Sequence, residues 1–254
     1  MSQLLNHKLQ GAGHTIVLIH GLFGNLDNLG LLARDLVQDY QVLSIDLRNH
    51  GLSFHSAIHD YEAMAQDVID LLQHLSLENV TLIGHSMGGK VAMKVASLAS
   101  ANVNQLVVLD MAPVHYSTRR HDNVFAGLLA VEQQKPTSRK QALEILAQHI
   151  EIDGVRQFLS KSLYKEHDHL TWRFNVDSLH ENYSKILAWE TLNPVATATL
   201  FVKGADSDYL QAEHQSQIQA QFPNAKAHVI ANTGHWLHAE KPAEVLRVIR
   251  RFLG

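Results

Sequence analysis

Short apolar runs alternate along this chain with longer segments whose apolar residues recur at helical spacing. The runs typical of buried strands cover residues 15–19, 41–46, 79–83, 103–110, 198–202 and 227–230. The helical patterns between them cover residues 29–36, 61–75, 89–96, 209–222 and 244–253. Because strands that alternate with helices form a mostly parallel sheet with helices on both faces, the pattern predicts an α/β fold.

The alternation stops between about residues 114 and 189. This segment is more charged, and none of its runs indicates a strand. Its helical patterns cover residues 125–131, 141–146, 155–163 and 176–187. We therefore predict a core domain built from residues 1–113 and 190–254. Residues 114–189 are predicted to form a helical cap, inserted after the strand that ends near Asp110.

Composition narrows the class of protein. The 254 residues are 46% hydrophobic and 18% charged, which is an ordinary globular mixture. The formal net charge of −4 gives no basic surface for nucleic acid or for a membrane. The absence of cysteine excludes disulfides, a thiol nucleophile and cysteine metal ligands. With no leader pattern and no apolar window of about 18 residues, the chain is expected to be soluble and cytoplasmic.

The most informative motif is Gly84-His85-Ser86-Met87-Gly88, which has the form G-x-S-x-G. A predicted strand precedes it and a predicted helix follows it, which is the context of a nucleophile elbow. Glycines at both ends remove Cβ atoms where strand and helix crowd the turn. Ser86 is therefore the predicted nucleophile.

A serine hydroxyl attacks at neutral pH only when a base accepts its proton, and that base is usually histidine. After such an elbow, the acid and then the histidine follow along the chain. His235 lies in a glycine-containing loop after the last predicted strand, where open α/β sheets place their ligands. We predict His235 as the base, with His238 as its main rival.

The acid that orients this histidine has three candidates. Asp110 directly follows an apolar strand, whereas Asp206 and Asp208 lie in the loop after the strand at 198–202. Either loop could reach the second nitrogen of the imidazole and fix its tautomer. From spacing alone the choice stays open.

The oxyanion of an acyl transfer needs two N–H donors. One is predicted at Met87, which follows the nucleophile and starts a helix. The other is predicted at Leu22, in the loop after the first apolar strand, with Phe23 as the second choice. No histidine cluster has the spacing of a metal site, so no metal is expected.

Several motifs together resemble the α/β-hydrolase superfamily over the whole chain. They are His20-Gly21, the elbow at 84–88, and Gly234-His235 before Glu240-Lys241-Pro242. The stretches 46–51, 110–113 and 172–175 more narrowly resemble bacterial esterases of that superfamily. Many of its members carry the acid three residues after the glycine that ends the later strand. That position is Ser207 here, so the resemblance favours Asp110.

The resemblance implies the α/β-hydrolase fold and a cofactor-free serine hydrolase of small-molecule substrates. We expect short- to medium-chain acyl esters or acyl thioesters, such as acyl-coenzyme A, to pass through an acyl-Ser86 intermediate. The predicted substrate pocket consists of Phe23, Phe125, Leu128, Trp172, Phe174 and Trp236. Three cap arginines, at 119, 120 and 173, are interpreted as surface ion-pair residues rather than as ligands of an anionic leaving group.

Other functions share these residues. A carbon–carbon bond hydrolase or a cofactor-free haloperoxidase would use the same three groups. A non-catalytic ligand-binding homologue would keep the pocket but not the activated serine. The sequence leaves the oligomeric state open.

Overall fold

The computed structural model describes residues 3–254. Its strands are β1 (His7–Gln10), β2 (Thr15–Ile19), β3 (Gln41–Ile45), β4 (Val80–His85), β5 (Val103–Leu109), β6 (Leu163–Glu166), β7 (His169–Trp172), β8 (Ala198–Gly204) and β9 (Ala225–Ile230). Its helices are α1 (Gly30–Leu36), α2 (Tyr61–His74), α3 (Met87–Leu98), α4 (Asp122–Gln134), α5 (Arg139–Ala147), α6 (Asp153–Ser160), α7 (Val176–Glu181), α8 (Tyr183–Leu187), α9 (Gln215–Gln221), α10 (Leu237–Glu240) and α11 (Pro242–Leu253). None of the helices formed by these residues combines the length and apolar character that a bilayer span requires.

Seven strands form the central sheet in the order β1-β3-β2-β4-β5-β8-β9. All neighbours run parallel except β1, which pairs antiparallel with β3 at one edge. The predicted mostly parallel α/β fold is therefore confirmed. β1 was not predicted, because its four residues are largely exposed and contain a single leucine rather than an apolar run.

Helices cover both faces of the sheet, and the strands alternate their side chains between two apolar clusters. On β4, Leu82 packs into the cluster that includes α2 and α3, whereas Ile83 packs into the cluster that includes α1 and α11. Both side chains are fully buried. This double coverage explains why the core strands are continuous apolar runs. The same packing on both faces holds β4, the strand that leads into the elbow, in place.

The segment at 114–189 contains helices α4 to α8, as predicted, but it also contains a hairpin. Strands β6 and β7 pair antiparallel, from Leu163 opposite Trp172 to Glu166 opposite His169. The prediction that this segment lacks strands was wrong, since a four-residue, half-exposed strand produces no apolar run. The helix predicted over 155–163 accordingly ends at Ser160.

Candidate active site

The elbow holds Ser86 in a strained backbone conformation between β4 and α3. Its φ of 55° and ψ of −123° are rarely adopted by residues other than glycine. A Cβ at Gly84 would overlap the carbonyl oxygen of Gly88, and one at Gly88 would overlap that of His20. The two glycines are thus required by close approach of the backbone. Together they hold the serine side chain at the turn.

Ser86 lies at one end of a continuous chain of hydrogen bonds. Its Oγ is 2.9 Å from Nε2 of His235, and Nδ1 of the same ring is 2.7 Å from Oδ2 of Asp110. Asp110 is fully buried, while the His235 side chain is 17% exposed. Because an ionised carboxylate only accepts, Nδ1 carries the proton and Nε2 is free to accept from the serine hydroxyl.

Of the three candidate acids, Asp110 is the one that forms a hydrogen bond with His235. Besides the imidazole, Asp110 accepts hydrogen bonds from the Gly204 N–H at 3.1 Å and from the hydroxyl of Ser207. Asp208 instead forms an exposed ion pair with Arg120 at 2.5 Å. Asp206 is exposed on the surface of the same loop. This arrangement favours Asp110 as the acid.

Two further groups hold the imidazole in place. Nε2 of His85 donates to the backbone carbonyl of His235 at 2.9 Å, which ties the late loop to the elbow strand. The ring of Tyr209 stacks on His235 with centroids 4.0 Å apart. Burial, together with neighbouring His238 and His235, lowers the pKa of His85 well below its usual value, so this ring stays neutral. These positioning contacts were not predicted, and the sequence carries no signal for the Tyr209 stack.

His238, the rival base, packs against the ring of His85. Its ring centroid is 4.3 Å from that of His85. Burial lowers the pKa of His238 to about 4, and its Nδ1 has no hydrogen-bond partner among residues 3–254. The geometry therefore supports His235 over His238 as the base.

The backbone around the elbow also offers hydrogen-bond donors. Met87 begins α3, so its N–H has no acceptor within that helix. The loop after β2 lies directly beside the elbow, since a Cβ at Gly21 would be 3.2 Å from Cβ of Ser86. The Phe23 N–H is already used, because it donates to Nε2 of His50 at 3.1 Å. Leu22 consequently stays the better candidate for the second donor.

Comparison with known proteins identifies the family. A model of the alpha/beta hydrolase family matches residues 16–248. This chain belongs to that family. It is 49% identical over 238 residues to esterase YbfF of Escherichia coli strain K12, which covers 94% of this chain and 92% of YbfF. The resemblance inferred from the motifs is confirmed.

Two further similarities extend the comparison. This alpha/beta hydrolase is 39% identical over 246 residues to the sn-1-specific diacylglycerol lipase ABHD11 of Mus musculus, covering 94% of this chain and 80% of the lipase. A solved structure of a marine microorganism esterase is 34% identical, with a TM-score of 0.96. That match covers 99% of this chain and 100% of the other. The fold class is therefore shared over the whole chain.

A cavity of about 380 Å³ opens beside Ser86 in the hydrolase. Phe23 and Trp236, both predicted pocket residues, line it. Segment 114–189 contributes residues 120–121, 123–124 and 150–152 to the wall, and helix α6 adds Val155, Phe158 and Leu159. The amphipathic spacing of α6 was visible in the sequence, but nothing in that spacing indicated that this helix would face Ser86.

Four predicted pocket residues lie elsewhere, which corrects that part of the prediction. Phe125, Leu128, Trp172 and Phe174 are each at most 3% exposed and do not line the cavity. The rings of Phe125 and Phe174 each lie 5.3 Å from Phe23 and support it from behind. The unpredicted strand β7 explains the error, since it buries Trp172 against α4, where the indole N–H donates to the Leu128 carbonyl at 3.1 Å.

Proposed function

We propose that this hydrolase cleaves carboxylic esters through an acyl-Ser86 intermediate. The observation that carries the proposal is the chain of hydrogen bonds from Ser86 through His235 to buried Asp110. The names of the similar proteins, an esterase, a diacylglycerol lipase and a marine esterase, support ester substrates. A serine at the elbow, rather than a carboxylate, suits an acyl-enzyme route.

In the proposed first step, the oxygen of Ser86 attacks the ester carbonyl while its proton passes to Nε2 of His235. Asp110 holds the Nδ1 proton and stabilises the imidazolium that forms. The negative charge on the former carbonyl oxygen is stabilised by the N–H groups of Met87 and Leu22. The start of α3 adds a favourable dipole at the same point.

In the next step His235 acts as an acid instead of a base. His235 returns its proton to the leaving-group oxygen, and the alcohol departs. Water then attacks the acyl-Ser86 ester, with His235 again accepting a proton. The acyl–Oγ bond breaks, His235 returns that proton to Oγ of Ser86, and the carboxylic acid departs. The same steps apply to an acyl thioester, in which a thiol leaves instead of an alcohol.

We further propose that residues 114–189 act as a cap over a core formed by residues 1–113 and 190–254. Helix α6 of this cap supplies apolar side chains opposite Ser86. A cavity of about 380 Å³ matches short- to medium-chain acyl groups better than long ones. The acyl group is therefore assigned to the space between α6 and the elbow.

Hydrolysis of p-nitrophenyl acetate and p-nitrophenyl butyrate by Ser86→Ala tests the proposal. We expect activity to fall to background while the melting temperature stays within a few degrees of the parent. Labelling with a fluorophosphonate, located by peptide mass spectrometry, separates an enzyme from a non-catalytic binding protein. Full activity in Ser86→Ala, or a parent protein without label at Ser86, would refute the acyl-serine mechanism.

A further inference from the structure

A second cleft, of about 930 Å³, continues from the catalytic cavity. It runs between helix α6 of the cap and the core surface formed by β1, β3 and α1. The two spaces share the side chains of Phe23, Asn28, Phe158, Trp236 and His238. The cleft therefore adjoins the space in which a substrate would bind beside Ser86.

Three cations line this cleft: Lys8 on β1, Arg34 on α1, and Lys161 just after α6. All three are exposed, and none forms an ion pair with a carboxylate within residues 3–254. Among the described residues that line the cleft, Asp27 is the single carboxylate. The cleft is thus locally positive in a protein whose net charge is −4.

The point at which the two spaces join indicates which end of the substrate enters the cleft. Trp236 and His238 lie at this junction, and both follow His235 closely along the chain. In the proposed mechanism, His235 hands its proton to the leaving group, so the leaving group must lie on this side. The apolar wall of Val155 and Leu159 lines the cavity but not the cleft, and suits the acyl group.

We propose that the cleft binds a phosphate group carried by the leaving group of the ester or thioester. This inference rests on the proposed function and names the substrate class of the same site. A phosphate monoester carries a charge of about −1.5 to −2 at neutral pH, and lysine and arginine are its usual ligands. Because Lys8 and Arg34 belong to the core and Lys161 to the cap, a phosphate held by all three would link the two.

The phosphate contributes only to substrate binding and takes no part in making or breaking bonds. The acyl–oxygen or acyl–sulfur bond breaks, and the leaving group departs with its phosphate intact and with the proton from His235. Water completes the cycle by releasing the carboxylic acid from Ser86. A cleft of about 930 Å³ also has room for a leaving group far larger than a simple alcohol.

Matched substrate pairs test this assignment. We expect kcat/KM for 1-butyrylglycerol 3-phosphate to exceed that for 1-butyrylglycerol by about 10-fold or more, mainly through KM. A second pair, butyryl-phosphopantetheine against butyryl-N-acetylcysteamine, distinguishes a phosphorylated thiol from a phosphorylated glycerol. A preference in either pair supports the assignment and identifies the kind of leaving group. Equal kcat/KM within both pairs overturns it.

Variants locate the effect in the cleft. Arg34→Gln and Lys161→Gln should each reduce the phosphate preference roughly 3- to 10-fold and weaken its salt dependence, while p-nitrophenyl butyrate hydrolysis stays unchanged. Lys226→Gln, on the exposed edge strand β9, is the matched control and should leave the preference intact. A preference that survives Arg34→Gln and Lys161→Gln overturns the assignment to these side chains.

A binding measurement tests the phosphate site independently of catalysis. Glycerol 3-phosphate should bind to the Ser86→Ala protein, as measured by calorimetric titration. Binding should be lost when Lys8, Arg34 and Lys161 are all replaced by glutamine. Absence of binding to Ser86→Ala, or binding that persists in the triple replacement, overturns the phosphate site even if ester hydrolysis is established. Absence of p-nitrophenyl ester hydrolysis by the parent protein counts against the proposed function alone.

Discussion

The hydroxyl of Ser207 donates a hydrogen bond to Oδ2 of Asp110, the same carboxylate oxygen that faces Nδ1 of His235. Asp110 follows β5 and Ser207 follows β8, and these two strands are parallel neighbours in the sheet. Side chains from positions 110 and 207 therefore meet at the same point beside the imidazole. In this chain the carboxylate comes from the earlier strand, and the later loop supplies a hydroxyl that supports it.

Replacing Ser207 by alanine removes a donor from a buried carboxylate. Hydrogen bonds to charged groups contribute about 1.5–3 kcal/mol, of which a part orients Asp110. We expect kcat for p-nitrophenyl butyrate to fall roughly 10-fold in Ser207→Ala, with KM nearly unchanged. Ser207→Thr keeps the hydroxyl and is the matched control. A kcat equal to that of the parent in the alanine variant would remove Ser207 from the positioning network.

Because the side chains at positions 110 and 207 meet beside His235, we predict that a carboxylate at position 207 can replace the one at position 110. Asp110→Asn should lower kcat by about 10⁴-fold, because the asparagine no longer fixes the imidazole tautomer. Adding Ser207→Asp to that variant should recover at least about 10-fold, since a carboxylate again reaches Nδ1. Asp110→Asn with Ser207→Asn tests whether the recovery needs charge. Equal rates for both double variants would contradict this prediction.

Backbone strain at Ser86 should lower the free energy of unfolding by a measurable amount. Ser86 has a φ of 55°, and a non-glycine residue in a sparsely populated region costs about 1–3 kcal/mol. Ser86→Ala keeps this strain, whereas Ser86→Gly relieves it at a small cost in unfolded-state entropy. We expect the free energy of unfolding of Ser86→Gly to be about 1 kcal/mol higher than that of Ser86→Ala. Urea titration measures both, and a glycine variant no more stable than the alanine variant would show an unstrained turn.

Burial also predicts how stability depends on pH. Burial lowers the pKa of His59 to about 3 and those of His121 and His238 to about 4, and it holds His50 and His85 well below the usual value. The folded state therefore binds fewer protons than the unfolded state, whose histidines titrate near 6.5. Stability is fully present above that pH and is lost as the pH falls toward 4.

Each such histidine contributes a slope of about 1.4 kcal/mol per pH unit in the free energy of unfolding between these limits. Urea unfolding at pH 8, 6.5, 5.5 and 5 measures the summed slope. His228 is exposed on β9, so His228→Gln should leave the slope unchanged and provides the control. A free energy of unfolding that stays constant from pH 8 to pH 5 would mean that these rings are not held neutral.

The sheet and the elbow could be predicted because both depend on local patterns. Ile16 to Ile19 and Leu82 to Ile83 are buried on both faces of the sheet, so the strands appear as continuous apolar runs. The glycines at 84 and 88 are required by backbone crowding within the turn itself. The order of nucleophile and histidine along the chain then follows from the topology.

What could not be predicted depends on contacts between distant segments. Asp206 and Asp208 have the same chemistry as Asp110, so spacing left the acid open, and Asp110 was favoured only by the family resemblance. Its contact with His235 depends on tertiary packing. Trp172 and Phe174 are large and apolar like pocket residues, but their stacked rings, with centroids 5.2 Å apart, pack inside the cap. Which side of an aromatic cluster faces solvent is a property of tertiary packing and leaves no periodic signal.

Phe158 of helix α6 forms part of the wall of both the catalytic cavity and the adjoining cleft. A rotation or shift of this one helix changes the dimensions of the two compartments together. Substitutions on α6 that widen the range of accepted acyl chains would thus disturb the fit of the departing alcohol at the same time. Relatives that diverge at this helix are expected to change both preferences in one evolutionary step.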